Sequence, residues 1–127
     1  MMVAGIGCRT GATADAVVSA FNLAIERYDI ERPQIATLAT AADKSVEVGI
    51  ADAARSLGLH LIFLTPEQLQ LAGAGALTVS QRVLDLKGVP SVAEAAALAA
   101  AGPGARLLGP RVATPTVTCA IAVGDAP

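Results

Sequence analysis

Apolar and polar positions fall into blocks whose period changes along the chain. Residues 2–7, MVAGIG, form a continuous apolar run and predict a strand. From Thr13 to Tyr28 the residues Val17, Phe21, Ala24 and Tyr28 recur every three or four positions, which is one face of a helix. IATLAT (35–40) follows Pro33 as a second strand. Between Asp43 and Leu57 the stripe Val46, Ile50, Ala53 and Leu57 predicts a second helix, with Gly58 as its stop. LHLIFL (59–64) reads as a third strand with no polar face beyond His60, and Pro66 opens a short helix through about Leu71. Continuous apolar strands joined by helices imply a parallel sheet covered on both faces, with right-handed crossovers.

The second half of the chain has a different rhythm. AGAGAL (72–77) reads as a flexible linker, and Ser80 to Lys87 as a short helix ended by Gly88. SVAEAAALAAAG (91–102) has very high helix propensity. ARLLGPRVAT and TVTCAIAVG then predict two strands around a turn at Thr114-Pro115. Pro110 marks an edge position or a bulge in the first, and Val117, Cys119, Ile121 and Val123 share one face of the second. The expected fold is α/β: one domain over residues 1–127, a mostly parallel sheet flanked by helices, with a C-terminal antiparallel strand pair.

Composition narrows the function. The length, 127 residues, is that of one domain. Of these, 54% are hydrophobic but only 2% aromatic, so the core must be built from Val, Ile, Leu and Ala. A net charge of −2 and the scarcity of aromatics argue against nucleic-acid binding. No basic-then-apolar leader and no uncharged membrane-length run is present, which leads us to expect a cytoplasmic protein without membrane contact. Cys8 and Cys119 lie on apolar strand-like runs and are expected to act as small buried hydrophobes. One histidine and two separated cysteines make no credible metal site.

GIGCRTG (5–11), between the first strand and the first helix, is the segment richest in chemistry. Its spacing, G-x-G-x-x-x-G, is one residue too long for a dinucleotide fingerprint, and no acid ends the second strand. No Gly-Lys-Ser/Thr follows, so it is not a P-loop. What remains is a glycine turn whose helix N-terminus and Arg9 would suit a carboxylate or phosphate, or a turn that only changes chain direction beside a solvated Arg9. Cys8 as a nucleophile lacks a base, because His60, expected to be partly buried, starts the third strand at the opposite sheet edge. Lys44 and Glu47 are spaced to meet on a helix surface, as a solvated pair or as acid–base groups. Thr40-x-x-Asp43 and Ser91-x-x-Glu94 both have the form of capping boxes.

GIGCRTG, ATAADKSVEVGI, GVPSVAEAAALAAAG and TVTCAIAVG occur in this order over essentially the whole chain. Together they resemble the CobE/CbiG C-terminal domain family of cobalamin biosynthesis, and the chain looks most like the free-standing CobE type of the aerobic route. Typical members carry Arg where Thr10 stands, Ser near Ala41–Ala42, and Lys where Arg111 stands. The resemblance implies a role in building the corrin ring, with a corrinoid or precorrin intermediate as ligand and other pathway enzymes as conceivable partners. It implies no cofactor. CbiG-type relatives open a precorrin lactone and release acetaldehyde, but have N-terminal regions that are not matched here. The carboxylates of such a macrocycle would meet Gly7, Cys8, Arg9, Thr10, Gly11, Lys44, Glu47 and Arg111. If the chain is a hydrolase, Lys44 and Glu47 are the acid–base candidates; otherwise it is a carrier, or an accessory to a neighbouring methyltransferase.

Overall fold

The computed structural model describes residues 1–87 and 89–124. Gly88, expected to end a helix, lies outside the described residues. Elements follow in the order β1 (Met2–Cys8), α1 (Ala14–Arg27), β2 (Ile35–Ala41), α2 (Val48–Leu57), β3 (His60–Leu64), α3 (Pro66–Gly73), α4 (Gln81–Lys87), α5 (Val92–Ala101), β4 (Arg106–Leu107), β5 (Val112–Ala113) and β6 (Val117–Val123). Among the described residues these strands form one six-stranded sheet, ordered β3-β2-β1-β6-β4, with β5 also on β6. β1, β2 and β3 are parallel, and β6 runs antiparallel to β1 and to both short strands.

The α/β architecture is the expected one, but its last part differs in detail. ARLLGPRVAT is not one interrupted strand. It makes two two-residue strands, β4 and β5, with Pro110 in the break between them. Proline has no N–H to give a ladder, so pairing lapses there. The hydroxyl of Tyr28, just past α1, donates to the Pro110 carbonyl and holds this break against the body.

Strand alternation divides the core in two. Ala4, Ile6, Leu38, Cys119 and Ile121 face α1 and α2, where Val17, Phe21, Ala24, Ile50 and Ala53 meet them. Val3, Ala39, Ala120 and Ala122 face α5. Helix α5 is buried at nearly every position because α3 packs on its far side. That explains a helix that is apolar all round instead of striped. The Cβ of a residue other than glycine at position 5 would lie 2.0 Å from the Ala93 carbonyl oxygen. Gly5 and Gly7 thus lie within β1 and do not form the turn after it. Gly5 lets α5 approach the sheet, and of the three glycines only Gly11, at φ +81°, has a left-handed turn conformation.

Other expectations change for physical reasons. Residues 43–47 are not part of the second α-helix. A short 3₁₀ turn spans Ala42–Lys44, α2 starts only at Val48, and Val46 is 78% exposed instead of completing a buried stripe. Thr40 does not cap a helix. It is buried in β2 and donates to the Ile6 carbonyl at 2.8 Å, which leaves it unable to act at the following turn. β3 is the sheet's edge, so LHLIFL is not covered on both sides: Ile62 and Phe63 remain 40% and 39% exposed, and His60 is exposed. Residues 72–73, read as linker, end α3. No described helix is long and apolar enough to cross a membrane.

Cys119 is fully buried against α1, and burial pushes its thiol from an ordinary 9.0 up to about 12. The buried thiol is neutral, so its contribution is complete below the ordinary thiol range and is lost as pH rises through the folded-state value. Denaturant unfolding across the alkaline range should therefore show stability falling above about pH 9. Cys119→Ala, less stable overall, should lose that part of the slope. An unchanged slope would assign the alkaline loss to other groups.

Candidate functional site

The parallel pairing of Ile6 with Thr40 brings the carboxyl ends of β1 and β2 side by side. Ligands in open α/β sheets bind at this edge. The loop after each strand is therefore next to the other, and a cavity of about 620 Å³ opens between them and the antiparallel strands. This volume is within the range of small-molecule sites. Gly7, Cys8, Arg9 and Thr10 line one side, and Asp43 and Lys44 the next. Arg111 and the stretch 113–118 close the third, while Val83 and Leu86 of α4 make an apolar lip beside Ser80. α5 opens beside the cavity at Val92.

The lining is predominantly cationic. Among the described lining residues Arg9, Lys44 and Arg111 are cations and Asp43 is the single carboxylate, in a chain whose net charge is −2. Like charges gathered against the overall balance raise the local potential for an anion. The helix N-terminus at the cavity belongs to α5. Both helices carry a side-chain cap: the Thr13 hydroxyl accepts from the Ala16 amide at 3.1 Å at α1, and Ser91 plays the same part at α5.

Each cation is held differently. The Arg9 amide donates to the Thr116 carbonyl at 2.9 Å, tying the β1 loop to the entrance of β6 and leaving the side chain exposed. Lys44 is half-buried in the turn after β2. The Arg111 amide donates to Glu94 Oε2 at 2.9 Å, and its guanidinium lies 3.5 Å from the Ser91 hydroxyl.

Of the eight expected ligand residues, Gly7, Cys8, Arg9, Thr10, Lys44 and Arg111 meet at the cavity, whereas Gly11 and Glu47 are not among its lining residues. Glu47 Oε1 instead accepts from the Gly11 amide at 2.7 Å and so latches the two loops together. Nearby, Gly49 lets α2 approach closely: a Cβ there would lie 2.1 Å from the Ala12 carbonyl oxygen. With its oxygen engaged at the loop, Glu47 is poorly placed for acid–base work. His60, at the start of β3, lies at the sheet edge opposite the end of β1, so it cannot serve Cys8 as a base.

Glu94 is the residue that sequence reasoning misplaced. Ser91 does cap α5, accepting from the Glu94 amide at 3.3 Å. The Glu94 side chain does not reach back to complete a box. It is fully buried, and Oε1 accepts from the Leu77 and Thr78 amides at 3.0 and 2.8 Å. Oε2 accepts from the Thr78 hydroxyl at 2.9 Å and from the Arg111 amide. A signal was present: Glu94 is the one charged residue in an otherwise apolar and small-residue helix.

Fold and site together define a small α/β domain with a cation-lined pocket at the carboxyl edge of its sheet. Residues 2–122 match the family model described as cobalamin synthesis G C-terminus, and the chain belongs to that family. It is a protein of cobalamin biosynthesis. Crystal structures of family proteins share its architecture. CobE, a protein from the cobalamin biosynthetic pathway, is 32% identical with a TM-score of 0.90, over 96% of this chain and 89% of that one. The cobalamin biosynthesis protein ChiG from Agrobacterium tumefaciens is 46% identical with a TM-score of 0.79, over 99% of this chain and all of that one. A cobalamin biosynthesis protein G homologue from Sulfolobus solfataricus is 20% identical at a TM-score of 0.70; the chain covers 37% of its length, and the likeness concerns the fold alone. No curated protein sequence matches the chain.

Proposed function

We propose that the protein binds a corrinoid or precorrin intermediate through its carboxylates and acts as a carrier or accessory in the aerobic route. The observation that supports this reading best is the convergence of Arg9, Lys44 and Arg111 on one cavity beside an apolar lip. A polycarboxylate macrocycle presents both chemistries that such a lining accepts: charge at its periphery and an apolar ring face. Lactone opening by Lys44 and Glu47 is the weaker reading, because Glu47 is bonded to the loop.

Visible-absorption titration with corrinoid intermediates tests the proposal. Arg9 is exposed in the free protein, so its contribution depends on desolvation by the ligand. A charge-assisted bond formed in that way contributes about 1.5–3 kcal/mol. Arg9→Ala and Lys44→Ala should each weaken binding roughly ten- to a hundredfold. Added salt should weaken it too, though less than at a fully exposed site. Two folded variants that bind as tightly as wild type would leave the glycine loop with only a structural role.

A further inference from the structure

We infer that Glu94 is a positioning residue of the pocket, setting the distance between Arg111 on one side of its mouth and the α4 segment on the other. The inference rests on the proposed binding function and concerns how that site is held in shape. One fully buried carboxylate joins three stretches of chain that are far apart in sequence. Oε1 holds the amides of Leu77 and Thr78, which lead into α4. Oε2 is shared between the Thr78 hydroxyl and the Arg111 amide. Both outer stretches line the cavity, the first through Ser80, Val83 and Leu86 and the second through Arg111 itself. The remaining anchor of Arg111 on α5 is the Ser91 hydroxyl, 3.5 Å from its guanidinium, and Ser91 lies only three positions from Glu94. The helix that carries Glu94 is enclosed between sheet and α3, so it is the fixed member. The segment leading to α4 and the Arg111 stretch are located relative to it.

A carboxylate is suited to this arrangement because it offers only acceptors, and all four partners are donors. Glutamine cannot replace it. Whichever way the amide turns, its NH₂ meets either the Leu77–Thr78 amides or the Thr78 hydroxyl and Arg111 amide. The Thr78 hydroxyl can rotate to accept, whereas the Leu77 and Thr78 amides cannot, so the NH₂ settles on the Oε2 side; the Arg111 amide then has no acceptor, and the Arg111 side of the mouth moves outward with its cation.

The test compares two probes by visible-absorption titration: cobyrinic acid, with free carboxylates, and its fully esterified form, which has none. Wild type should bind the acid far more tightly. Glu94→Gln should lose about tenfold for the acid and little for the ester, a loss similar to that of Arg111→Ala. Combining the two substitutions should add little, because both remove the same placed cation. Equal losses for acid and ester, or losses that add in the double variant, would mean that Glu94 only supports the fold and would overturn the inference. Should circular dichroism show Glu94→Gln unfolded, Thr78→Val removes one donor and keeps the rest: a smaller acid-selective loss supports the inference, and an unchanged preference overturns it. A wild-type protein that binds neither probe, or does not distinguish them, overturns the binding function itself. A wild type that prefers the acid, with Glu94→Gln keeping that preference, overturns the positioning role alone.

Discussion

Glu94→Ala should destabilise the domain by about 3–5 kcal/mol, since each buried donor left without an acceptor costs about 1–3 kcal/mol. The carboxylate accepts from three backbone amides and a hydroxyl, and alanine accepts from none of them. Hydrogen bonds to a charged group contribute about 1.5–3 kcal/mol each, but the sum overstates the loss because water enters the vacated space and serves the more exposed donors. Leu77 is near enough to the surface for that, at 57% exposure. Against a typical total stability of about 5–15 kcal/mol, the variant would be marginal. Urea denaturation followed by circular dichroism measures the effect, and a loss under about 1 kcal/mol would show that the donors find other partners.

Gly5→Ala should be as damaging for the opposite reason, an atom too many. The new Cβ would fall 2.0 Å from the Ala93 carbonyl oxygen, 2.7 Å from the Ala97 nitrogen and 2.9 Å from the Ala97 Cβ. The two nearest atoms belong to the backbone of α5, so no rotamer change relieves the clash and the whole helix must shift. It cannot retreat freely, since α3 packs behind it. Overpacking usually costs about 1–3 kcal/mol, and this case should lie at or above the upper end, with Gly5→Val failing to fold. Gly11→Ala in the same motif is the control. Nothing lies within 4 Å of its Cβ, and its cost is that of a left-handed residue, about 1–2 kcal/mol. Thermal unfolding of the pair gives the ranking, and near-equal midpoints would count against the close helix–sheet approach.

These two glycines also show how far the sequence could be read. Their clustering marked a special place, but not that one serves a helix arriving from nearly ninety residues further on while the other serves the turn. The parallel half of the sheet was legible because each strand and helix there carries its own period. β4 and β5 were not, since two-residue strands have no period and exist only by pairing with β6. The 3₁₀ turn at Ala42–Lys44 was missed because Val46 falls in register with the α2 stripe yet points to no core. At the site, residues next to strand ends were found from the edge rule. Glu94 escaped because its partners, Leu77, Thr78 and Arg111, come together only in the tertiary fold.

The position of β6 bears on when the pocket comes into being. It follows the other five strands in the chain yet lies directly beside β1, with Met2 opposite Val123. That pairing closes a loop of almost the entire sequence, and such long-range closures come late in folding. Thr116–Thr118 and the Gly7–Arg9 stretch are walls of the same cavity, joined by the bond from the Arg9 amide to the Thr116 carbonyl. A half-folded chain with β1 to β3 already paired therefore has its cationic loops but no vessel around them. Under the proposed function, capture of a ligand is timed to the completed fold, because the pocket has no closed wall before β6 has slotted into the middle of the sheet.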